Sequence, residues 1–406
     1  MSIVRHTRRR VLQTIIASPW LAGLTPARMA FGQDSDDIIT AADQALDVFD
    51  FERLARERLP PAHFGYLATG VDGDATLHAN LAGFSNYSLR VRRLVGVGNI
   101  DMSVKLFGTT WDSPIVLDPV GSQRAFHPDG ELAVARAARS RNHLQILSTM
   151  ASTGVEDVAA ARGAPIWYQL YPTDQWAVTQ ALVNRAKAAE CPVLVLTVDL
   201  QGGTNRVTLG HAIRHDTRDC TACHATKPPQ LLKELPRKAM FRGLDLSAVT
   251  DLTPLDMNWD FIKRLRDIWP RKLMVKGIVT HDDGELAVTH GLDGLVVSNH
   301  GGRGEDSGRA TIDSLQEVVA GVGGRMPIIV DGGFRRGSDI FKALALGATA
   351  VGVGRPYIWG LASFGQEGVE KVLDILRHEL LFVMRQAGTR SIVEINRSYI
   401  VDNRPG

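Results

Sequence analysis

Leu292-Asp293-Gly294-Leu295-Val296-Val297 runs directly into Ser298-Asn299-His300-Gly301-Gly302-Arg303. The first half is a short apolar run of the kind that forms a strand buried on both faces of a parallel sheet. The second half then lies just past that strand's C-terminal end. It sets a histidine, a candidate base near neutral pH, three residues from an arginine, a fixed cation able to grip a carboxylate with two hydrogen bonds. The glycines between them let backbone approach a ligand closely. This pairing points to proton or hydride chemistry on a small carboxylic acid.

Seven further runs repeat the pattern. Ile115–Pro119, Leu144–Ser148, Ile166–Tyr171, Val193–Asp199 and Leu273–Gly277 precede it, and Pro327–Asp331 and Ala350–Gly354 follow it; the opening run itself supplies Gly294–Ser298. Helical periodicity fills the gaps, as in Gly130–Arg141 and Ser338–Leu346. Eight strands alternating with helices predict an α/β fold, a closed (β/α)8 TIM barrel. Residues 34 to 113 read as an N-terminal helical preface with a short hairpin closing the barrel base, and about Val369 to Ala387 as a helix completing the outer ring. In such a barrel the C-terminal strand ends form one mouth. Every end carries polar or glycine-rich residues: Pro119-Val120-Gly121, Ser148, Gln169 with Tyr171, Thr197 with Asp199, Lys276, Ser298 with His300, Asp331-Gly332-Gly333 and Gly354-Arg355. The last two loops, each with glycines and arginine, predict a phosphate site.

The 406 residues carry 46 Lys and Arg against 44 Asp and Glu, a net charge of +2. There is no basic stripe with interleaved aromatics, which argues against nucleic acid as a partner. The N-terminus differs from the rest. Thr7-Arg8-Arg9-Arg10-Val11-Leu12-Gln13 precedes an apolar stretch from Ile15 to Leu24, too short to span a bilayer. Residues 1–30 resemble a twin-arginine signal peptide, with cleavage near Ala30 and the periplasm as destination. An uncleaved amphipathic helix is the plainer alternative.

From about residue 40 to 400, the motifs SNHGGR, LTVD, VKG, DGGFRRGSDIFKALALGA and GRP resemble the FMN-dependent 2-hydroxy-acid dehydrogenase and oxidase family. That family includes glycolate oxidase, L-lactate dehydrogenase and oxidase, and mandelate dehydrogenase. The resemblance implies an FMN barrel domain over residues 34–400 and a 2-hydroxy acid as substrate. It implies that His300 is the base, that Asp199 orients it, and that Tyr171 bonds the substrate hydroxyl. Arg206, Arg303 and Tyr66 would hold the carboxylate. Lys276 would sit where flavin reduction builds negative charge. Pro119, Val120 and Gly121 would meet the flavin through backbone, and Ser148, Gln169, Thr197 and Ser298 would hold its ring. Asp331 would bind the ribityl chain, and Gly333, Arg335, Gly354 and Arg355 the phosphate. A homo-oligomer, a tetramer in many members, is implied as well.

Three departures stand out. Pro119-Val120-Gly121 replaces a Pro-Thr-Ala type sequence, Met150 stands where plant-type oxidases carry tryptophan, and Gly304-Glu305-Asp306 replaces Gln-Leu-Asp. Met is adaptable, so Met150 admits a different substrate side chain. The stretch 207–258, expected as a mobile loop, also contains Cys220-Thr221-Ala222-Cys223-His224, the attachment pattern of covalent haem c. His224 would then be the proximal ligand and Met240 a distal one. A Cys220–Cys223 disulfide, or a metal site with His224 and His215, are the rival readings. Cys191, ahead of a strand, reads as a small core residue. The motif and the leader favour an external electron acceptor, a cytochrome or quinone, over oxygen. An oxygen-using oxidase that makes hydrogen peroxide, a c-type electron carrier on an inactive barrel, and another FMN barrel such as an isomerase remain as alternatives.

Overall fold

The computed structural model describes residues 38–218 and 232–404. The preface opens with helix α1 (Val48–Arg58), whose first free amides are met by Asp47: its Oδ1 accepts from Phe49 N at 2.8 Å and Asp50 N at 3.3 Å. Val48, Phe51 and Ala55, spaced three and four apart, turn one face inward and are fully buried. Helices α2 (Pro61–Ala68) and α3 (Ala75–Ala82) follow, then strand β1 (Tyr87–Leu89) and the antiparallel hairpin β2 (Val104–Leu106) and β3 (Thr109–Trp111).

Eight strands then close the barrel: β4 (Ile115–Leu117), β5 (Leu144–Ser148), β6 (Trp167–Leu170), β7 (Val193–Thr197), β8 (Lys272–Ile278), β9 (Gly294–Val297), β10 (Ile328–Val330) and β11 (Ala350–Val353). Each pairs in parallel with its neighbours, and β11 pairs back with β4 through Gly352↔Val116. The expected strands fall on these, β5 to the residue and the others shortened or extended by one or two residues. The helices between them are α4 (Gly130–Ser140), α5 (Val155–Arg162), α6 (Trp176–Ala188), α7 (Val207–Arg214), α8 (Trp259–Ile268), α9 (His281–Thr289), α10 (Thr311–Val322), α11 (Gly337–Ala345) and α12 (Arg355–Ala387). The last is bent at Phe364 and Gly365, where the backbone leaves helical geometry. A short strand, β12 (Ile400–Asp402), ends the described chain and pairs antiparallel with β1.

Alternation along each strand divides the core in two. Val116, Ile146, Trp167, Val195, Met274, Val296, Ile329 and Ala350 fill the barrel interior, together with Val104, Leu106 and Trp111 of the hairpin. Leu117, Leu147, Tyr168, Leu194, Val275 and Leu295 point outward against the helices. Phe107, at the hairpin tip, packs on Trp167 with ring centroids 5.5 Å apart. The hairpin therefore plugs the N-terminal end of the barrel, as expected, and the open mouth is at the other end.

Two expectations change. The described part of 207–258 is not simply loop: it holds α7 and two 3-10 turns, Leu235–Arg237 and Ala239–Phe241. Met240 is fully buried in the apolar core, so it cannot ligate a haem without leaving its packing. Cys220, Cys223 and His224 lie outside the described residues, as does the 1–30 leader. Cys191 is a buried free thiol, as expected. Among the described residues no helix is long and apolar enough to cross a membrane.

Candidate active site

Strand parity decides what faces the barrel mouth. Two residues beyond the inward Val116, Trp167, Val195, Met274, Val296, Ile329 and Ala350 stand Asp118, Gln169, Thr197, Lys276, Ser298, Asp331 and Gly352. This is the top layer of the interior. Above it opens a cavity of about 540 Å3, a usual size for a cofactor and small substrate.

His300 follows β9 with a positive φ of 58°, which turns its ring across the mouth. Its Nδ1 lies 2.7 Å from Asp199 Oδ1, and its Nε2 lies 3.1 Å from the Tyr171 hydroxyl. A carboxylate can only accept, so Nδ1 carries the proton and Nε2 presents its lone pair. Burial pushes the His300 pKa below 6.5, against the pull of Asp199, so the ring is neutral at pH 7. Burial alone would raise Asp199, but the His300 and Lys276 charges prevail and hold it at about 2. Burial and Asp199 push the Tyr171 phenol well above its ordinary value, leaving it a hydroxyl donor.

Lys276 is buried among carboxylates, 3.5 Å from Asp199 Oδ2 and 3.2 Å from Asp331 Oδ2. Burial would lower its pKa, but the neighbouring carboxylates, Asp199 and Asp331 foremost, outweigh that and raise it. Its Nζ donates to Ser298 Oγ at 2.6 Å, and Ser298 donates on to Asp331 Oδ1 at 2.8 Å. Next to Lys276 the β8–β9 register slips, and Gly277 takes φ of 113°. A Cβ there would lie 2.7 Å from that of Asp199. Replacing Gly277 with alanine is expected to cost about 1–3 kcal/mol of stability and to loosen the His300–Asp199 bond; urea unfolding and a proton NMR spectrum of the imidazole would register both.

Two guanidiniums converge on Tyr66 of α2. Arg303 and Arg206 lie 5.0 and 5.5 Å from its ring centre, and Arg303 also donates to Tyr66 O at 2.6 Å. The Nε atoms of both arginines are sealed from solvent with no hydrogen-bond partner among the described residues. Burial, then the neighbouring Arg303, lowers the Arg206 pKa to about 10. Two crowded cations with unspent donors are a site for an anion such as a carboxylate.

Most predicted residues do meet. Tyr66, Pro119, Val120, Gly121, Ser148, Tyr171, Arg206, Lys276, His300, Arg303, Asp331, Gly333, Arg335, Gly354 and Arg355 line the same cavity. Asp199, Gln169, Thr197 and Ser298 stand behind its surface, where Gln169 Nε2 donates to Thr197 Oγ1 at 2.9 Å. Arg355 reaches the cavity edge but donates to the carbonyls of Leu67, Gly301 and Thr69, fastening α2 to the His300 loop. Arg335 lies over the Trp359 ring at 4.7 Å, and burial lowers its pKa to about 10.

Other participants escaped sequence reasoning. Asn80 of α3 and Asn299 exchange side-chain amide bonds of 2.8 and 2.9 Å, tying the preface to the His300 loop. Asp118 lines the cavity and is 9% exposed. Leu200, Leu232, Leu252 and Leu255 join Met150, which the sequence did single out, in an apolar wall. The side-chain oxygens of Asp174 accept from Thr250, and Thr253 N donates to Pro172 O at 2.8 Å, which anchors one side of that wall.

A parallel barrel whose mouth combines a carboxylate-oriented imidazole, a buried lysine and paired guanidiniums defines an oxidoreductase of flavin-barrel type. Residues 55–402 match the FMN-dependent dehydrogenase family, and the chain belongs to it. It is 37% identical over 360 residues to a peroxisomal (S)-2-hydroxyacid oxidase of Arabidopsis thaliana, covering 88% of this chain and 97% of that one. It is 36% identical to an L-lactate oxidase of Lysinibacillus sphaericus, covering 87% and 92% of the two chains. A solved mandelate oxidase superposes with a TM-score of 0.77 at 33% identity, covering 88% of this chain and 98% of the other.

The residues fit FMN. Gly332 and Gly333 at positive φ and Gly354 expose backbone beside Arg335, a cradle for a phosphate, and the buried Lys276 supplies fixed positive charge deeper in the cavity.

Proposed function

We propose that this enzyme oxidises a small, lactate-like L-2-hydroxy acid to the 2-oxo acid and passes the electrons from FMN to an external acceptor, a cytochrome or quinone. The observation that carries the chemistry is the Asp199–His300–Tyr171 chain set beside two guanidiniums with unpaired donors. Bound FMN supplies the two-electron acceptor. Arg206 and Arg303 bind the carboxylate and so place the hydroxyl near His300 Nε2. Tyr171 donates to the substrate oxygen, and His300 takes the hydroxyl proton. Asp199 keeps Nε2 free and stabilises the imidazolium that forms. Lys276, held by its carboxylates, favours negative charge building in the cavity. Gly333, Gly354 and Arg335 hold the phosphate, and Asp331 the ribityl chain.

The external acceptor is supported by sequence: the Cys220–His224 motif and the arginine-rich leader, which in this reading sends the enzyme to the periplasm. A haem c on the motif is the second reading, favoured because Leu232 and Glu234, a few residues beyond it, line the cavity. A visible spectrum of protein from haem-attaching cells, before and after lactate without air, tests both. Flavin bleaching with a rising haem band supports the relay, and bleaching with no haem band removes it. Turnover with an artificial electron acceptor should exceed turnover with oxygen; stoichiometric hydrogen peroxide would instead make the enzyme an oxidase.

Replacing Arg206 or Arg303 with lysine removes the fork geometry and should raise KM for the hydroxy acid roughly ten- to hundredfold, the worth of a hydrogen bond between charged groups, in steady-state kinetics. The base must be unprotonated, so kcat/KM should fall as pH is lowered through the His300 pKa. The acid limb of the pH profile is expected below 6.5.

A further inference from the structure

Asp118 is the one residue of the interior's top layer whose charge has no evident counterpart. It follows β4 directly, and its backbone is fixed at both ends: its N donates to Val353 O at 3.0 Å, and its O accepts from the Tyr357 hydroxyl at 2.7 Å. Parity with Val116 turns its side chain into the barrel. There the carboxyl rests on Gly352, where a Cβ would fall 2.1 Å from Oδ1. Glycine at 352 makes room for this carboxyl. Oδ1 is sealed from solvent and has no hydrogen-bond partner among the described residues, yet the side chain lines the cavity floor.

The titratable and charged groups facing it are Lys276 from β8, Asp331 beyond β10 and Tyr357 of α12. Lys276 is the cation among them, and its bonds are already taken by Asp199, Asp331 and Ser298. Asp331 has a second donor in Ser298. Two neighbouring carboxylates in a dry site cannot both carry charge cheaply, and the one without donors takes the proton. Burial first, then Asp331, pushes the Asp118 pKa well above its ordinary value, and Lys276 only partly opposes this.

We propose that Asp118 is a neutral carboxylic acid on the cavity floor, which donates its O–H to the cofactor bound above it and keeps the Lys276 charge from being overwhelmed by a third carboxylate. The proposal rests on the FMN reading for the identity of the acceptor, but not for the proton itself. It makes Asp118 a positioning residue that tunes the cofactor through charge. While Asp118 stays protonated, the Asp118, Asp199, Asp331 and Lys276 group carries one net negative charge; ionisation would make it two and oppose reduction of the flavin.

The test pairs infrared spectroscopy with potentiometry on the purified enzyme and on Asp118→Asn, which keeps the shape without the acid. At pH 7 the wild type should show a protonated-carboxyl band, shifted in heavy water, that Asp118→Asn lacks. The flavin midpoint potential of the wild type should run parallel to that of Asp118→Asn around pH 7 and fall below it only at alkaline pH, where Asp118 ionises. Identical carboxyl bands, or a wild-type potential already displaced below that of Asp118→Asn at pH 7, would overturn the proposal. If Asp118→Asn does not fold, Asp118→Ala takes its place, with the same bands deciding. Protein that binds no flavin would defeat the functional reading, while the infrared comparison would still decide for or against the proton on Asp118.

Discussion

Changing His300 to asparagine should lower kcat by about 10^4-fold while FMN stays bound, the upper range for loss of a positioned base. Asparagine is the informative replacement because the backbone at this position has φ of 58°. Asparagine adopts the left-handed region more readily than alanine, so the loop should keep its course and the loss can be read as chemistry. The ring has two partners, Asp199 on one nitrogen and Tyr171 on the other. Asp199→Asn should therefore approach the same loss, since an amide no longer selects the tautomer with Nε2 free. Stopped-flow reduction of the bound flavin by lactate isolates the step. A fall in the reduction rate of tenfold or less in His300→Asn would assign the base elsewhere.

The second large effect is expected at Lys276. Replacing it with methionine keeps the bulk and removes the cation, leaving Asp199 and Asp331 buried without it. Breaking a buried ion pair from one side typically costs about 3–5 kcal/mol, and urea unfolding of Lys276→Met should show a loss of that order. Rescue separates the partners. Asp331→Asn in the Lys276→Met background removes a stranded charge and should restore part of the stability. Asp118→Asn in the same background should restore little, because that group carries no charge to relieve.

The barrel was legible because its strands are buried on both faces. Such strands appear as unbroken apolar runs, and Leu144–Ser148 was located to the residue. Ends were less sharp, since Pro119 and Asp199 belong chemically to the site and not to the ladder. The catalytic set was visible because function put polar residues at strand ends, where packing does not ask for them. Asp118 was missed for the opposite reason: in Ile115–Pro119 it reads as one polar residue inside a strand, and only counting by twos from Val116 turns it inward. Asn80 and Asn299 were missed because their bond joins α3 to a loop more than half the chain away. Met240 misled because a sulfur in a stretch with a haem-type motif invites ligation, whereas its neighbours, Ala239 and Phe241, show an apolar core.

The strand pair made by β1 and β12 has a consequence for how the molecule is born. Tyr87 sits opposite Asp402, and Arg404 reaches both Asp402 and Asp313. One edge of that small sheet is thus synthesised before the barrel and its mate only after all eight barrel strands. Until then β1 waits as an open edge, a template for the wrong neighbour. The two must then find each other across all eight strands of the barrel, a closure whose entropic cost grows only slowly with length. The barrel can assemble as its strands emerge, but it is latched only once the last of them has been made, which makes β12 a checkpoint on a completed barrel.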